Sequence, residues 1–230
     1  MTPDESKRLA AIAAIAELPE HGTLGLGTGS TARLFIEEVG ALVKAGRRFR
    51  AVPTSEASRE QAEKLGIELL PPDGPWDLDV TVDGADEVDP QLDLIKGGGG
   101  AHLREKIVNY ASRRNVIIVD ESKLSPTLGV AWSVPVEVVT FARNQTAKLL
   151  EALGNPVLRL RDGAPFRTDS GHVIFDVACG PIADAPALDR ALRAIPGVVE
   201  TGLFIGRADV VIVAGAGGVR RLDRCVTPRG

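Results

Sequence analysis

Apolar residues recur along the chain in two alternating rhythms. At the amino end, Leu9, Ile12, Ala13 and Ala16 fall at helical spacing up to Pro19, with Thr2 or Asp4 able to cap the helix and Pro3 suited to its first turn. Short apolar runs then alternate with helical segments. Thr23–Leu26 precedes GTGSTARLFIEEVGALVKAG, Phe49–Val52 precedes TSEASREQAEKLG, Leu78–Val82 precedes DGADEV, and Asn115–Val119 precedes DESK. Parallel strands need crossovers and bury both surfaces, so the predicted fold is α/β, a Rossmann-like parallel sheet with helices on both faces. Ligands of such sheets gather at the carboxyl ends of the strands, where every polar motif below lies.

From about Val130 the rhythm changes. VPVEVV, a helix near FARNQTAKLLEALG, strands near VLRLR and VIFDVA, and a helix near ALDRALRAI follow in a βαββα order. That order resembles a smaller, inserted ferredoxin-like α+β domain. Beyond Pro196-Gly197, the runs VVETGLFI and ADVVIVAG read as strands that rejoin the first sheet. The predicted domains are 1–129 with 200–230, the Rossmann-like catalytic domain, and 130–199, the small α+β domain.

Composition narrows the classes. Hydrophobic residues at 44% and charged residues at 25% are ordinary for globular proteins and exclude disordered or fibrous classes. A net charge of −4 argues against nucleic acid as a partner, because that affinity is driven by phosphate neutralisation. Cys179 and Cys225 are far apart and form no CxxC, which suggests neither a disulfide framework nor a zinc site and points to the cytoplasm. Acidic Asp4 and Glu5 precede the first apolar stretch, and no run approaches a membrane span of about 20 residues, so neither an export signal nor a membrane partner is expected.

Four motifs carry chemistry. The turn Gly25-Leu-Gly-Thr-Gly-Ser-Thr-Ala32 follows a strand and opens a helix, so first-turn N–H groups and the helix dipole face any anion there. Thr28, Ser30 and Thr31 add hydroxyls, and phosphate is the natural guest; a strand-to-helix turn also needs glycine for steric reasons alone. The same residues fit GxGxxA, but the second strand ends at Pro53-Thr54-Ser55 without the acidic residue that would hold a ribose hydroxyl of a dinucleotide. No Lys-Ser/Thr follows, which rules out a Walker loop. Asp83-Gly-Ala-Asp86 offers two carboxylates at a strand end, suited to sugar hydroxyls or proton transfer, or simply to a solvated turn. A calcium loop counted from Asp83 would need Glu at its twelfth position, where Leu94 stands.

Lys96 opens a run of four glycines whose ordering is most cheaply justified by a ligand pressed against the main chain, with a flexible linker as the alternative. On the following helix, Leu103, Ile107 and Tyr110 mark an apolar stripe. Glu105, between Arg104 and Lys106, reads locally as a solvated carboxylate. Lys123 ends Asp120-Glu-Ser-Lys123 as a point charge for phosphate or as part of a capping turn. His21, His102 and His172 share no metal-ligand spacing, and no metal or cofactor is expected.

Taken together and in order, GLGTGSTA, TSEAS, DGADEVD, KGGGGAHLREKI and DESK resemble the A-type ribose-5-phosphate isomerase family. Thr168-Asp-Ser-Gly171, Asp176 and PGVVETGLFIG extend the likeness over nearly the whole chain. His172, where the family pattern has asparagine, and the Ala-His after the glycines depart from it. The resemblance implies a cofactor-free aldose-ketose isomerase acting on a sugar phosphate through an enediolate. It assigns Glu105 as the catalytic carboxylate, with Asp83, Asp86 and Lys96 as further catalytic groups. It assigns Gly27, Thr28, Gly29, Ser30, Thr31, Asp83, Gly84, Ala85, Asp86, Lys96, Gly97, Gly98, Gly99 and Lys123 to substrate binding, and a homodimer or homotetramer as the assembly. A non-catalytic sugar-phosphate sensor, an amino-sugar phosphate deaminase and, more distantly, a nucleotide-linked oxidoreductase are the rival readings, since a fold does not fix a function.

Overall fold

The computed structural model describes residues 1–224, and Cys225 lies outside them. In chain order the elements are α1 (Pro3–Ala14), β1 (Gly22–Leu26), α2 (Ser30–Lys44), β2 (Phe49–Pro53), α3 (Glu56–Lys64), β3 (Glu68–Leu69), β4 (Leu78–Asp83), β5 (Glu87–Val88), β6 (Leu94–Ile95), α4 (His102–Tyr110) and β7 (Ser112–Asp120). There follow β8 (Val134–Val138), α5 (Arg143–Leu150), β9 (Asn155–Leu158), β10 (Leu160–Arg161), β11 (Ala164–Pro165), β12 (Val173–Ala178), α6 (Ala185–Arg193), β13 (Val198–Thr201), β14 (Leu203–Phe204), β15 (Val210–Gly215) and β16 (Gly218–Asp223). By contact, the described chain forms two compact units. One comprises 1–84, 107–123 and 206–224; the other comprises 85–106 and 124–205.

The first unit is a seven-stranded sheet in the order β16-β15-β7-β4-β1-β2-β3, parallel except for β16. α1 starts as its sequence predicts. Thr2 caps it, accepting from Glu5 N at its hydroxyl, and the Glu5 carboxylate in turn accepts from Thr2 N in a capping box. On one face of the sheet, Leu24, Leu26, Val80, Val82, Val116 and Ile118 pack against Phe35, Ile36 and Val39 of α2 and the alanines of α1. Each such large side chain, fully buried, contributes roughly 1.5–3 kcal/mol. On the other face, Val52 and Leu78 meet Val108 of α4. Gly25 points to that second face, where a Cβ would collide with Thr81 and Val108. Helices therefore cover both faces.

The second unit holds an antiparallel sheet in the order β13-β8-β12-β9. Val134, Val136 and Val138 alternate into its core with Val173, Phe175 and Val177, over Leu150 and Leu192 of its two helices. With β13 included, the order is βαββαβ, the full ferredoxin-like set. The expected return of VVETGLFI to the large sheet is thus corrected. Its first half, β13, pairs with β8, and its second half, β14, pairs with β6 in a three-stranded sheet completed by β5. Only ADVVIVAG joins the large sheet, beside β7. The same pairing explains why 85–106, 124–129 and 200–205, read from sequence with the first domain, cluster by contact with the second unit.

Candidate active site

In the first unit, β1 ends at Leu26 and the chain turns through Gly27–Gly29 into α2. Gly29 caps the helix at φ +110 without a side-chain hydrogen bond, a backbone that L residues rarely adopt. The start of α2 therefore keeps its N–H groups for another acceptor. Asp83, the last residue of β4 and buried, accepts from Thr28 N at 3.1 Å and Gly84 N at 2.7 Å. A Cβ on Gly27 would overlap that carboxylate. TSEAS braces the turn from the side. Ser58 Oγ donates to Gly27 O at 2.7 Å, while Thr28 Oγ1 lies 2.7 Å from Thr54 Oγ1 and donates to Ser55 Oγ at 2.8 Å. The Thr28 hydroxyl, read from sequence as a donor to a ligand, is thus engaged within the turn. Ser30 is exposed and Thr31 half-buried at the helix start. Lys123 closes a short 3₁₀ turn, Glu121–Lys123, just after β7, with its side chain half-buried.

In the second unit, Lys96 and Glu105 form an ion pair at 3.1 Å with side chains 4% and 5% exposed. This corrects the local reading of Glu105 as a solvated carboxylate. Lys96 follows β6, and its N–H donates to Gly202 O at 2.9 Å. Its Nζ lies 5.4 Å from the centre of the Phe204 ring. Lys106, next to Glu105, turns to a different side of α4. There it is buried, bonded to Glu200 at 2.9 Å and donating to the carbonyls of Thr201 and Leu203 at 2.7 Å. Burial lowers its pKa to about 8, against the opposing pull of Glu200. No signal in the sequence marked Lys106, because its partners lie on a strand far along the chain.

Asp86 and the glycine run are joined. Asp86 Oδ2 accepts from Gly98 N at 2.7 Å, and a Cβ on Gly98 would stand 2.8 Å from Asp86 Oδ1. A Cβ on Gly97 would meet His102 Nδ1 at 2.7 Å, and one on Gly100 would overlap Phe166. The glycines expected to make room for a ligand are thus also required by protein atoms. The two histidines that depart from the family pattern meet at one carboxylate. Glu137 Oε1 lies 2.9 Å from His172 Nδ1 and accepts from Thr168 Oγ1 at 2.9 Å, and its Oε2 lies 3.9 Å from His102 Nε2. Burial raises the Glu137 pKa and lowers that of His102 to about 3.

The second unit supplies a buried carboxylate held by an ammonium and an amide donor beside a second carboxylate, groups that can move a proton on a substrate carbon and neutralise an oxyanion. The first unit by itself supplies a helix start at a glycine turn, which can hold an anionic group. Among the described residues, no group of three or more His, Cys, Asp or Glu is placed to hold a metal ion, and no helix is long and apolar enough to cross a membrane.

Comparisons with known proteins identify the family. The family model for ribose 5-phosphate isomerase A (phosphoriboisomerase A) matches residues 50–218. The curated ribose-5-phosphate isomerase A of Rhodopseudomonas palustris (strain TIE-1) is 50% identical over 97% of this chain and 100% of its own length. The structure of ribose 5-phosphate isomerase A from Methanocaldococcus jannaschii superposes with a TM-score of 0.91 at 39% identity, covering 96% of this chain and all of that one. A D-ribose-5-phosphate isomerase solved in complex with phospho-erythronic acid gives a TM-score of 0.92 at 37% identity, covering 97% and 100%. The chain belongs to the ribose 5-phosphate isomerase A family.

Proposed function

We propose that this protein interconverts D-ribose 5-phosphate and D-ribulose 5-phosphate, the isomerase step of the non-oxidative pentose phosphate pathway, with Glu105 moving the proton. Aldose-ketose interconversion removes a proton from C2 and returns one at C1 through a planar enediolate. Because the carbons are adjacent, one carboxylate can act first as base and then as acid. The observation that carries the reading is the buried pair of Glu105 with Lys96, which supplies that carboxylate and a cation beside it. Lys96 and the N–H groups of Gly97 and Gly99 are assigned to the enediolate oxygens, and one of Asp83 and Asp86 to opening of the furanose ring, with Gly84, Ala85 and Gly98, whose N–H is given to Asp86, along the sugar.

The phosphate is assigned to Gly27, Thr28, Gly29, Ser30 and Thr31, with Lys123 neutralising charge near it. The uncapped start of α2 supports this, since an anion is stabilised by first-turn N–H groups and the dipole. The phosphate breaks no bond, yet its binding energy holds the sugar in a reactive pose. The complex of a relative with phospho-erythronic acid, a phosphorylated sugar acid, favours the same substrate class. Assembly as a homodimer or homotetramer belongs to the proposal and is supported by Val157, 56% exposed on β9 at the edge of the four-stranded sheet. A cytoplasmic location follows from a phosphorylated substrate that membranes retain.

The test is conversion of ribose 5-phosphate to ribulose 5-phosphate by the wild type and by Glu105→Gln. The amide keeps the shape and removes the base, so kcat should fall by about three orders of magnitude or more with KM little changed, the upper range of general-base effects. Near-normal turnover by the variant would overturn the assignment.

A further inference from the structure

Arg159 lies between β9 and β10, and its side chain is 16% exposed. Its guanidinium is gripped on one side by Asp176 of β12, with Nε donating to Oδ2 at 2.9 Å and Nη2 to Oδ1. From the other side, Nη1 donates to Gly97 O at 2.7 Å and to Gly98 O at 3.2 Å. These are carbonyls of the glycine run.

A peptide unit is planar and trans, so fixing a carbonyl fixes the N–H of the next residue, which points the opposite way. The Gly97 carbonyl sets the Gly98 N–H, and that N–H donates to Asp86 Oδ2 at 2.7 Å. The plane is therefore held at both ends, by Arg159 and by Asp86. The Gly98 carbonyl sets the Gly99 N–H in the same manner. Within the run, Gly100 N donates to Gly97 O at 2.9 Å. Glycine planes rotate at little steric cost, so this single turn bond is reinforced from outside by Arg159, which alone of the two also holds the Gly98 carbonyl. Arg159 is suited to this, because its planar fork grips both oxygens of a carboxylate with two N–H groups and leaves a third nitrogen for the carbonyls, a bidentate geometry that the tetrahedral donors of an ammonium do not reproduce.

We propose that Arg159 is a positioning residue for the isomerisation, holding the peptide planes of Gly97–Gly98 and Gly98–Gly99 so that their N–H groups face Asp86 and the sugar. Asp176 acts through it by fixing the guanidinium. This rests on the reading of Asp86 and Lys96–Gly99 as the sugar site.

The experiment measures kcat and KM for ribose 5-phosphate with Arg159→Ala, Arg159→Lys and Asp176→Asn, each with its melting temperature. Arg159→Ala should lose at least about tenfold in kcat, the scale expected of a misplaced donor. Guanidinium at tens of millimolar should restore several-fold of that loss, while leaving wild type and Glu105→Gln unchanged. Arg159→Lys, which keeps the charge and most of the stem, should be about as slow as the alanine variant. Asp176→Asn should lose less than either. A kcat within twofold of wild type for Arg159→Ala overturns the proposal, as does a loss that guanidinium fails to relieve. Recovery by Arg159→Lys overturns it too, since charge alone would then suffice. Should Arg159→Ala not fold, the lysine variant, with kcat at the wild-type level or tenfold below it, decides the question. An active Glu105→Gln would instead remove the underlying site assignment and is read separately.

Discussion

Three consecutive charged residues on α4 have three different fates. Arg104 is partly exposed and donates to Asp169 O at 3.0 Å. Glu105 is buried against Lys96, and Lys106 is buried against Glu200 and two carbonyls. Helical residues step by about 100° each, so neighbours in sequence face different surroundings. Burying an ion pair carries a desolvation cost that its attraction does not reliably recover, so the Glu105–Lys96 pair is not itself an argument for stability. His102, one turn before Lys106, makes a separate prediction. The unfolded chain takes up a proton at the ordinary histidine value of 6.5, whereas the folded His102 refuses it until about 3, chiefly because it is buried. The unfolded state therefore binds more protons in that window, and stability falls as pH drops through it. Urea unfolding of His102→Leu should show a slope of unfolding free energy against pH smaller by about 1.4 kcal/mol per pH unit between about pH 6 and 4. An unchanged slope would mean that another group sets the acid limit.

At the scale of elements, the turn from β1 into α2 is a small assembly in its own right. Asp83 binds its Thr28 N–H, Ser58 its Gly27 carbonyl, and Thr54 and Ser55 its Thr28 hydroxyl. The closeness of Asp83 leaves no space for a side chain at position 27. Gly27→Ala should displace the turn, and if the phosphate sits there KM for ribose 5-phosphate should rise about tenfold or more. A wild-type KM would place the phosphate elsewhere. Five strands of this sheet, β1, β2, β4, β7 and β15, were legible as apolar runs ending at small or polar residues, whereas the short β3 and the polar edge strand β16 carried no such run. VVETGLFI was misplaced for a physical reason. Its composition suits any buried strand, and periodicity does not say which edge will accept it. The open side of β8 and the short β6 decided that.

For the molecule as a whole, the proposed chemistry relies on an ammonium and on main-chain donors to hold the enediolate, with no step assigned to a metal. Dialysis against EDTA should then leave kcat within twofold of its starting value, measured in metal-free buffer. A loss that a divalent ion reverses would require a metal in the mechanism.

The sequence by itself determined the order of elements, the class of each unit and the linked motifs whose resemblance named a family, because periodicity, turn chemistry and glycine placement are local properties of the chain. It marked Glu105 through that resemblance alone. Only the tertiary structure decided that Glu105 is buried with Lys96, that His102 and His172 meet at Glu137, and that Arg159 reaches the glycine run. Those facts depend on contacts between distant segments, such as β14 on β6 across more than a hundred residues. The environment of a charge, and hence its chemistry, is set by what such contacts exclude.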